Sequence, residues 1–445
     1  MNSVKLLSKF FRNYIPLRIA LIFALCLFGT IASFSQSLGR IERGRAQDML
    51  NAVKSEIKDK YYDPTFHGID LDARFKAAGE KLEKATSLGQ AFGIIAQAVL
   101  ELQDSHTTFY PPSRTAEFEY GWQMQMIGNK CFVTAVKPKS DAEKQGLKAG
   151  DEILAIEGFR PNRKELWKIR YFYDTLSPRT GLNLKVQSPD GKEPRELNIA
   201  AKVIQKKAIL NLEELIREIE LSDGKGVEHR FVKVGNTMIW NMPSFVIGTE
   251  GIDSIMQTRV NQAANLILDL RGNAGGYVTA LERLAGYFVD KDTKIADLKG
   301  RKEMKPQIAK SRGKDVFKGK VVVIIDADSG SASEIFARFM QIEQRGVVIG
   351  DQSAGAVMQS RVIPMEMGVD SIVPYGMSLT NADVITTDGK SLEHIGVTPQ
   401  LIMLLTGADL AAQRDPVLAG ALELFGQKVT PEQAGKFFPY KWEEN

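Results

Sequence analysis

Four near-continuous apolar runs in the C-terminal half, MIWNMPSF, NLILDL, KVVVII and GVVIG, alternate with helical segments such as IDSIMQTRVNQAA, TALERLAGYF and SASEIFARFMQIE. A strand that is apolar on both faces has to be covered on both faces. The alternation therefore predicts a buried, largely parallel sheet flanked by helices. In such sheets the working residues gather at strand ends and helix starts.

Two regions with different patterns precede this one. Over residues 36–118 the segments AQDMLNAVKSEIKDKYY and LDARFKAAGEKLEKATSLGQAFGIIAQAVLEL carry apolar residues at three and four spacing, which predicts a helical domain. It ends at LQDSHTTFYPP, where Pro111 and Pro112 stop regular structure. Over residues 119–205 short alternating strands, CFVTAV, EILAIEG and LNLKVQS, surround one amphipathic stretch, SDAEKQGLKAG. The remainder, 206–445, is the α/β region with a C-terminal helical segment. The expected class is thus a multidomain α/β protein.

The stretch SDAEKQGLKAGDEILAIEG resembles a PDZ domain, in which a helix packing Ala142 and Leu147 precedes a turn at Gly150 and Asp151. PDZ domains bind extended peptide ends by strand addition and hold the terminal carboxylate on backbone N–H groups. That resemblance implies a peptide-binding loop at Tyr120, Gly121, Trp122 and Gln123.

At the N-terminus, Lys5, Lys9, Arg12 and Arg18 precede the apolar run IALIFALCLFGTIASF, which ends in small residues. Residues 1–35 read as a secretory signal peptide, cleaved after Ala32 or Ser35, and imply export to a periplasmic or extracellular location. Left uncleaved, the segment would anchor the chain in a membrane. Its removal leaves Cys131 as the single cysteine, so no internal disulfide is expected. Cys131 lies in KCFVTAV and reads as a buried strand residue.

The formal net charge is only +4 over 445 residues, with basic and acidic residues interleaved, which argues against a nucleic-acid partner. No cluster of Cys and His has metal-ligand spacing, and neither a metal nor an organic cofactor is implied.

The turn DADSGSASEIFARFM follows the strand VVVII and opens a helix, placing a hydroxyl near backbone N–H groups that stabilise negative charge. A serine there can attack a carbonyl while a neighbouring N–H, such as that of Ala332, supports the oxyanion. By themselves Ser329, Ser331 and Ser333 could equally cap the helix. The segment NLILDLRGNAGGYVTALERL also runs from a buried strand through a glycine-rich turn into a helix. It lacks the Gly-Lys-Ser/Thr ending of a phosphate loop, so Gly275 and Gly276 read as further oxyanion donors, with Asp269 and Arg271 as an ion pair holding the turn.

Together LDLRGNAGG and SGSASE resemble the signature pair of the tail-specific proteases, peptidase family S41. The start YYDPTFHGID and the closing EHIGVTPQ extend the resemblance, although Gln400 stands where the family has aspartate. It implies a ClpP/crotonase-like protease core with Ser331 as nucleophile. One subfamily pairs the serine with a lysine about 25 residues on, but the matching stretch GDQSAGAVMQS has Ala356 there, and Lys390 sits in a TTDGKS turn. The tricorn-like subfamily instead takes its base from an Asp-Ser-His or Asp-Gly-His segment. Asp104, Ser105 and His106 match it, which implies His106 as base, Ser105 as its orienting partner and Glu393 behind Ser105. His67 and His229 lie in polar loops, and His394 follows no base motif. Glu334, one helical turn from Ser331, is an auxiliary candidate that positions the loop or the substrate.

The resemblance implies a serine peptidase acting on exported polypeptides, with docking through a C-terminal carboxylate. The rival readings are a non-catalytic relative that binds an apolar ligand and a PDZ adaptor with an inert protease-like domain.

Overall fold

The computed structural model describes residues 38–442 apart from 223, 225 and 369–371. The N-terminal run read as a signal peptide lies outside the described residues.

The chain begins with three helices, α1 Arg40–Lys60, α2 Leu71–Leu82 and α3 Leu88–Leu100. Asp70 and Ser87 cap α2 and α3 by accepting from Ala73 N and Gln90 N, which satisfies orphan first-turn amides. Two short strands follow, β1 Thr108–Tyr110 and β2 Ala116–Glu119, in a stretch where the sequence pattern is helical up to the double proline. Next come β3 Trp122–Ile127, β4 Lys130–Val136, α4 Asp141–Lys144, β5 Glu152–Ile156, α5 Leu166–Arg170, β6 Gly181–Gln187, β7 Arg195–Ala200 and β8 Lys202–Gln205. Strands β3 to β7 pair in sequence order as an antiparallel sheet, and β8 pairs with β2. Ala142 and Leu147 are buried in the core of this sheet, as is Cys131 on β4.

The rest of the chain comprises α6 Leu212–Ser222, β9 Arg230–Val234, β10 Thr237–Asn241, α7 Thr249–Ile255, β11 Asn265–Asp269, α8 Val278–Ala285, β12 Thr293–Lys299, β13 Gln307–Ala309, β14 Lys320–Ile325, α9 Ala332–Ile342, β15 Val347–Gly350, β16 Met358–Met367, β17 Val373–Thr386, β18 Leu401–Ile402, α10 Gly407–Ala411, α11 Pro416–Glu423 and α12 Pro431–Ala434. Among the described residues these build a sheet of order β18-β15-β14-β11-β10-β9, parallel throughout except for β9. Leu266, Leu268, Val321 and Val323 face one core with Phe336 of α9, while Ile267, Val322 and Ile324 face another with Leu418 and Leu422 of α11. Burial on both faces explains why these strands read as continuous apolar runs.

A second sheet, absent from the sequence-based expectation, has the order β1-β17-β12-β13, with β16 also on β17. Strand β1 pairs antiparallel with β17, Phe109 opposite Met377. Helices α1 to α3 bury Leu50, Ile57, Phe92 and Ile95 with Phe109, Tyr375, Met377 and Leu379. The helical region is thereby fastened to this sheet just beyond residues 104–106.

Candidate active site

Strand β14 ends at Ile325 and the chain turns through residues 326–330 into α9, with Ser331 at the helix N-cap. Ser331 has φ 51° and ψ −116°, a positive φ that costs a non-glycine residue on the order of 1–3 kcal/mol. The surrounding turn fixes it there. Ser329 Oγ donates to Leu270 O at 2.8 Å and Ser333 Oγ donates to Asn273 O at 2.8 Å. Both hydroxyls are thus committed to backbone in fully buried positions, whereas Ser331 Oγ lies 3.3 Å from His106 Nε2. The local pattern of the turn left these three serines equivalent and only the family resemblance implied Ser331; their hydrogen bonds distinguish them.

A continuous polar chain runs on from His106. Its Nδ1 is 2.7 Å from Ser105 Oγ, which donates to Glu393 Oε2 at 2.9 Å. Glu393 also accepts from Ser105 N at 2.7 Å and Val357 N at 2.8 Å. The Ser105 hydroxyl has one proton, and Glu393 receives it. Ser105 Oγ must then accept from His106 Nδ1–H, which leaves Nε2 as a lone pair facing Ser331. Burial holds the imidazole down to about 4, with Asp104 pulling the other way, so His106 is neutral near pH 7. Burial pushes the Glu393 carboxyl up, against the amide and hydroxyl donors that favour its charge.

Asp104 was not singled out among the site residues, yet it organises the base. Its carboxylate accepts from His106 N at 2.9 Å, Thr107 N at 2.7 Å, Thr380 Oγ1 at 2.6 Å and Tyr61 OH at 2.8 Å. The signal was present in the sequence as the first residue of Asp-Ser-His, but its partners are remote in the chain.

The glycine-rich turn after β11 packs against the nucleophile. A side chain at Gly275 (φ +110°) would place its Cβ 2.7 Å from that of Ser331, so the backbone approaches as closely as it does because the residue is glycine. The Gly275 N–H donates to Asn273 Oδ1 at 2.9 Å, and its carbonyl accepts from Phe245 N at 2.7 Å. That amide is therefore already engaged, which leaves Gly276 and Ala332, among the named donors, with N–H groups that meet no protein acceptor among the described residues. Asp269 and Arg271 do form an ion pair, at 2.8 Å, and Arg271 also bridges to Asp415 at 2.7 Å.

Glu334 is fully buried on α9, and its carboxylate accepts from Ser331 N at 3.1 Å, Ser353 Oγ at 2.5 Å, Gly355 N at 2.8 Å and Ala356 N at 2.9 Å. Ala356 contributes backbone only: its carbonyl accepts from Ser331 N at 2.8 Å. Lys390 has a largely exposed side chain, 3.8 Å from Asp388. His229 Nδ1 accepts from Trp240 Nε1 at 3.1 Å, and His67 Nε2 lies 2.8 Å from Tyr62 OH. His394 Nε2 lies 2.7 Å from Gln103 O. Gln400 Oε1 accepts from Val348 N at 2.7 Å.

Away from Ser331, Tyr120 and Trp122 are buried and Gln123 is exposed; together with Gly121 they line an open groove of about 610 Å³ that also takes in Met124, Ile169 and Ile219. The 119–205 region reaches the nucleophile turn through Gln125 of β3, which donates to Asp326 Oδ2 at 2.6 Å, and Arg170 of α5, paired with Asp328 at 3.1 Å.

Residues 238–403 match the family described as Peptidase family S41. The tail-specific protease of Haemophilus influenzae is 24% identical over 367 residues, covering 78% of this chain and 50% of that protein, so this chain spans half the length of that relative. The carboxy-terminal processing protease CtpB of Bacillus subtilis is 25% identical over 391 residues, covering 86% of this chain and 71% of CtpB. In fold, the chain is similar to mature CPAF, with a TM-score of 0.62 at 15% identity over 83% of this chain and 94% of that one. It is also similar to the photosystem II D1 C-terminal processing protease, with a TM-score of 0.51 at 18% identity over 88% of this chain and 99% of that one.

Proposed function

We propose that this chain, which carries a peptidase family S41 domain over residues 238–403, is a serine peptidase that hydrolyses peptide bonds through an acyl-enzyme on Ser331. The observation that carries the reading is the unbroken sequence of polar contacts from Ser331 through His106 and Ser105 to Glu393. His106 Nε2 takes the Ser331 proton as Oγ attacks the substrate carbonyl, and later returns it to the leaving amine. Ser105 and Glu393 hold the ring in the tautomer that makes this transfer possible and steady the imidazolium that forms. The N–H groups of Ala332 and Gly276 receive the oxyanion, and Gly275 lets the two turns approach. Water, activated by the same His106, then releases the acyl group. This sequence of steps uses no cofactor.

The finer organisation belongs to the same reading. The 119–205 unit is a PDZ-like module whose loop at Tyr120, Gly121, Trp122 and Gln123 takes a polypeptide C-terminus into the adjoining groove, and 36–118 is a helical domain that delivers the base. Residues 1–35 direct export, so the substrates are periplasmic or extracellular polypeptides.

A fluorophosphonate probe tests the chemistry. The folded protein is expected to label at Ser331 and to cleave unfolded polypeptide, and Ser331→Ala, His106→Ala and Glu393→Gln are expected to lose both. Absence of labelling and of cleavage in the folded parent would remove the peptidase reading. Peptide binding that needs residues 120–204 and ignores Ser331 would indicate an adaptor instead.

A further inference from the structure

We infer that Glu334 is a positioning residue for the nucleophile, and that the reaction needs it as a carboxylate. The inference rests on the serine peptidase reading above and extends it. The segment 355–357 is held between two carboxylates: Glu334 accepts from the amides of Gly355 and Ala356, and Glu393 accepts from the next amide, that of Val357. Ser331 N–H is shared between Glu334 Oε2 and the Ala356 carbonyl. Glu334 therefore grips Ser331 directly and also grips the residue whose carbonyl holds Ser331 from the other side. Ser353 completes the ring, since its hydroxyl donates to Glu334 Oε1 while accepting from Val397 N at 2.6 Å in the turn that follows Glu393.

All four partners of Glu334 are donors. A carboxylate satisfies them, whereas a carboxylic acid places an O–H on an oxygen that already receives two donors and must displace at least one. Protonation would thus loosen both the positive-φ backbone at Ser331 and the 355–357 segment. Burial pushes the Glu334 carboxyl up to about 7, against the donors that favour its charge, so the change falls in the working range. Among the other titratable groups around the turn, Asp326, whose carboxyl burial and the neighbouring Asp328 also push up, accepts from Gly272 N, Ser329 Oγ and Gln125, and Asp328 pairs with Arg170. His106 is engaged with Ser105, Glu393 with Ser105 and Val357, His394 with Gln103, and Arg338, one turn along α9, with Asp388, so it is the response to Ser353→Ala that assigns the limb to Glu334.

The test is the pH dependence of second-order labelling by a fluorophosphonate, from pH 4 to 9, with circular dichroism confirming the fold at each pH. The parent should show an acid limb near pH 7. In Ser353→Ala the carboxylate loses one donor, its proton is held more tightly, and the limb should move up by about one pH unit. Glu334→Gln should abolish that limb, leave an acid limit near the His106 range of about 4, and lower the plateau roughly 10- to 100-fold, while Glu334→Asp restores a limb in the neutral range. A parent limb near 4, or a limb that stays in place in Ser353→Ala, would overturn the inference. If Ser353→Ala does not fold, the amide resonances of Gly355 and Ala356 in the parent decide: they should titrate near pH 7, and flat shifts would refute the role. A folded parent that never labels while these amides titrate would remove the peptidase reading and leave Glu334's hold on the turn established, so the two failures are distinguishable.

Discussion

Charge is disfavoured at His106, and this has one consequence for catalysis and another for stability. The folded imidazole titrates at about 4 against about 6.5 for a free histidine, so the folded state binds fewer protons between those values. Stability from this group is complete above about 6.5 and is lost as pH falls through the folded pKa. His106→Ala should therefore flatten the acid side of a plot of thermal midpoint against pH while lowering kcat about 10²- to 10⁴-fold. Thermal melts and peptide-cleavage assays on the same preparations check both effects. Asp104 offers a contrasting residue because its four donors come from three separate parts of the chain. Removing the carboxylate in Asp104→Ala leaves buried donors unmatched and should cost on the order of 3 kcal/mol in chemical denaturation. Asp104→Asn keeps one carbonyl oxygen and can meet Tyr61 with its amide, so it should cost about half as much.

At the scale of elements, the two glycine positions beside the nucleophile predict different failures. In Gly275→Ala the new methyl would press on Ser331 Cβ at 2.7 Å and on the backbone of Gly330 and Ala332 at 3.0 Å, at a φ of +110°, and the expected result is a protein that still folds, less stable by about 1–3 kcal/mol, whose fluorophosphonate labelling falls roughly 100-fold. In Gly276→Ala the methyl would meet the backbone of Phe245 at 2.4 Å, across a parallel bridge between main chains that cannot yield separately. That variant should lose several kcal/mol of stability as well as labelling, and a denaturant titration separates the two. Much of this arrangement could be read in advance. The runs NLILDL and KVVVII became β11 and β14, with Leu266 and Ile267 turned to opposite cores, because burial on both faces leaves an unmistakable composition. The turns RGNAGG and SGSASE likewise stood out as glycine- and serine-rich breaks between strand and helix. What local pattern could not supply was the sheet built on β17, since the three-residue β1 has too little periodicity to register and its partner lies more than 250 residues away. The same limit hid Thr380 and Tyr61 as partners of Asp104, and hid that Ser329 and Ser333 spend their hydroxyls on backbone while Ser331 Oγ meets His106.

For the whole molecule, the site exists only where three remote stretches meet: the 104–106 turn, the start of α9, and the 393–397 turn. The first of these is carried by the helical region, and its placement depends on how β1 seats on β17. Phe109 is the apolar residue at that seam, fully buried, with its ring 6.2 Å from Phe92 and 6.3 Å from Tyr375. Phe109→Ala should cost about 3–5 kcal/mol through the cavity it leaves. Because the strand begins two residues after His106, the same cavity should let the base drift from Ser331, and labelling should fall even at temperatures where circular dichroism reports a folded chain. Leu184→Ala is the matching control: Leu184 is equally buried, but in the core of the β3 to β7 sheet. It should cost a comparable 2–5 kcal/mol while leaving the labelling rate of the folded fraction unchanged. Equal loss of labelling in both variants would mean that general destabilisation, rather than the β1–β17 seam, governs the meeting of His106 and Ser331. A selective loss in Phe109→Ala would place control of the base in the packing of the helical region on the second sheet.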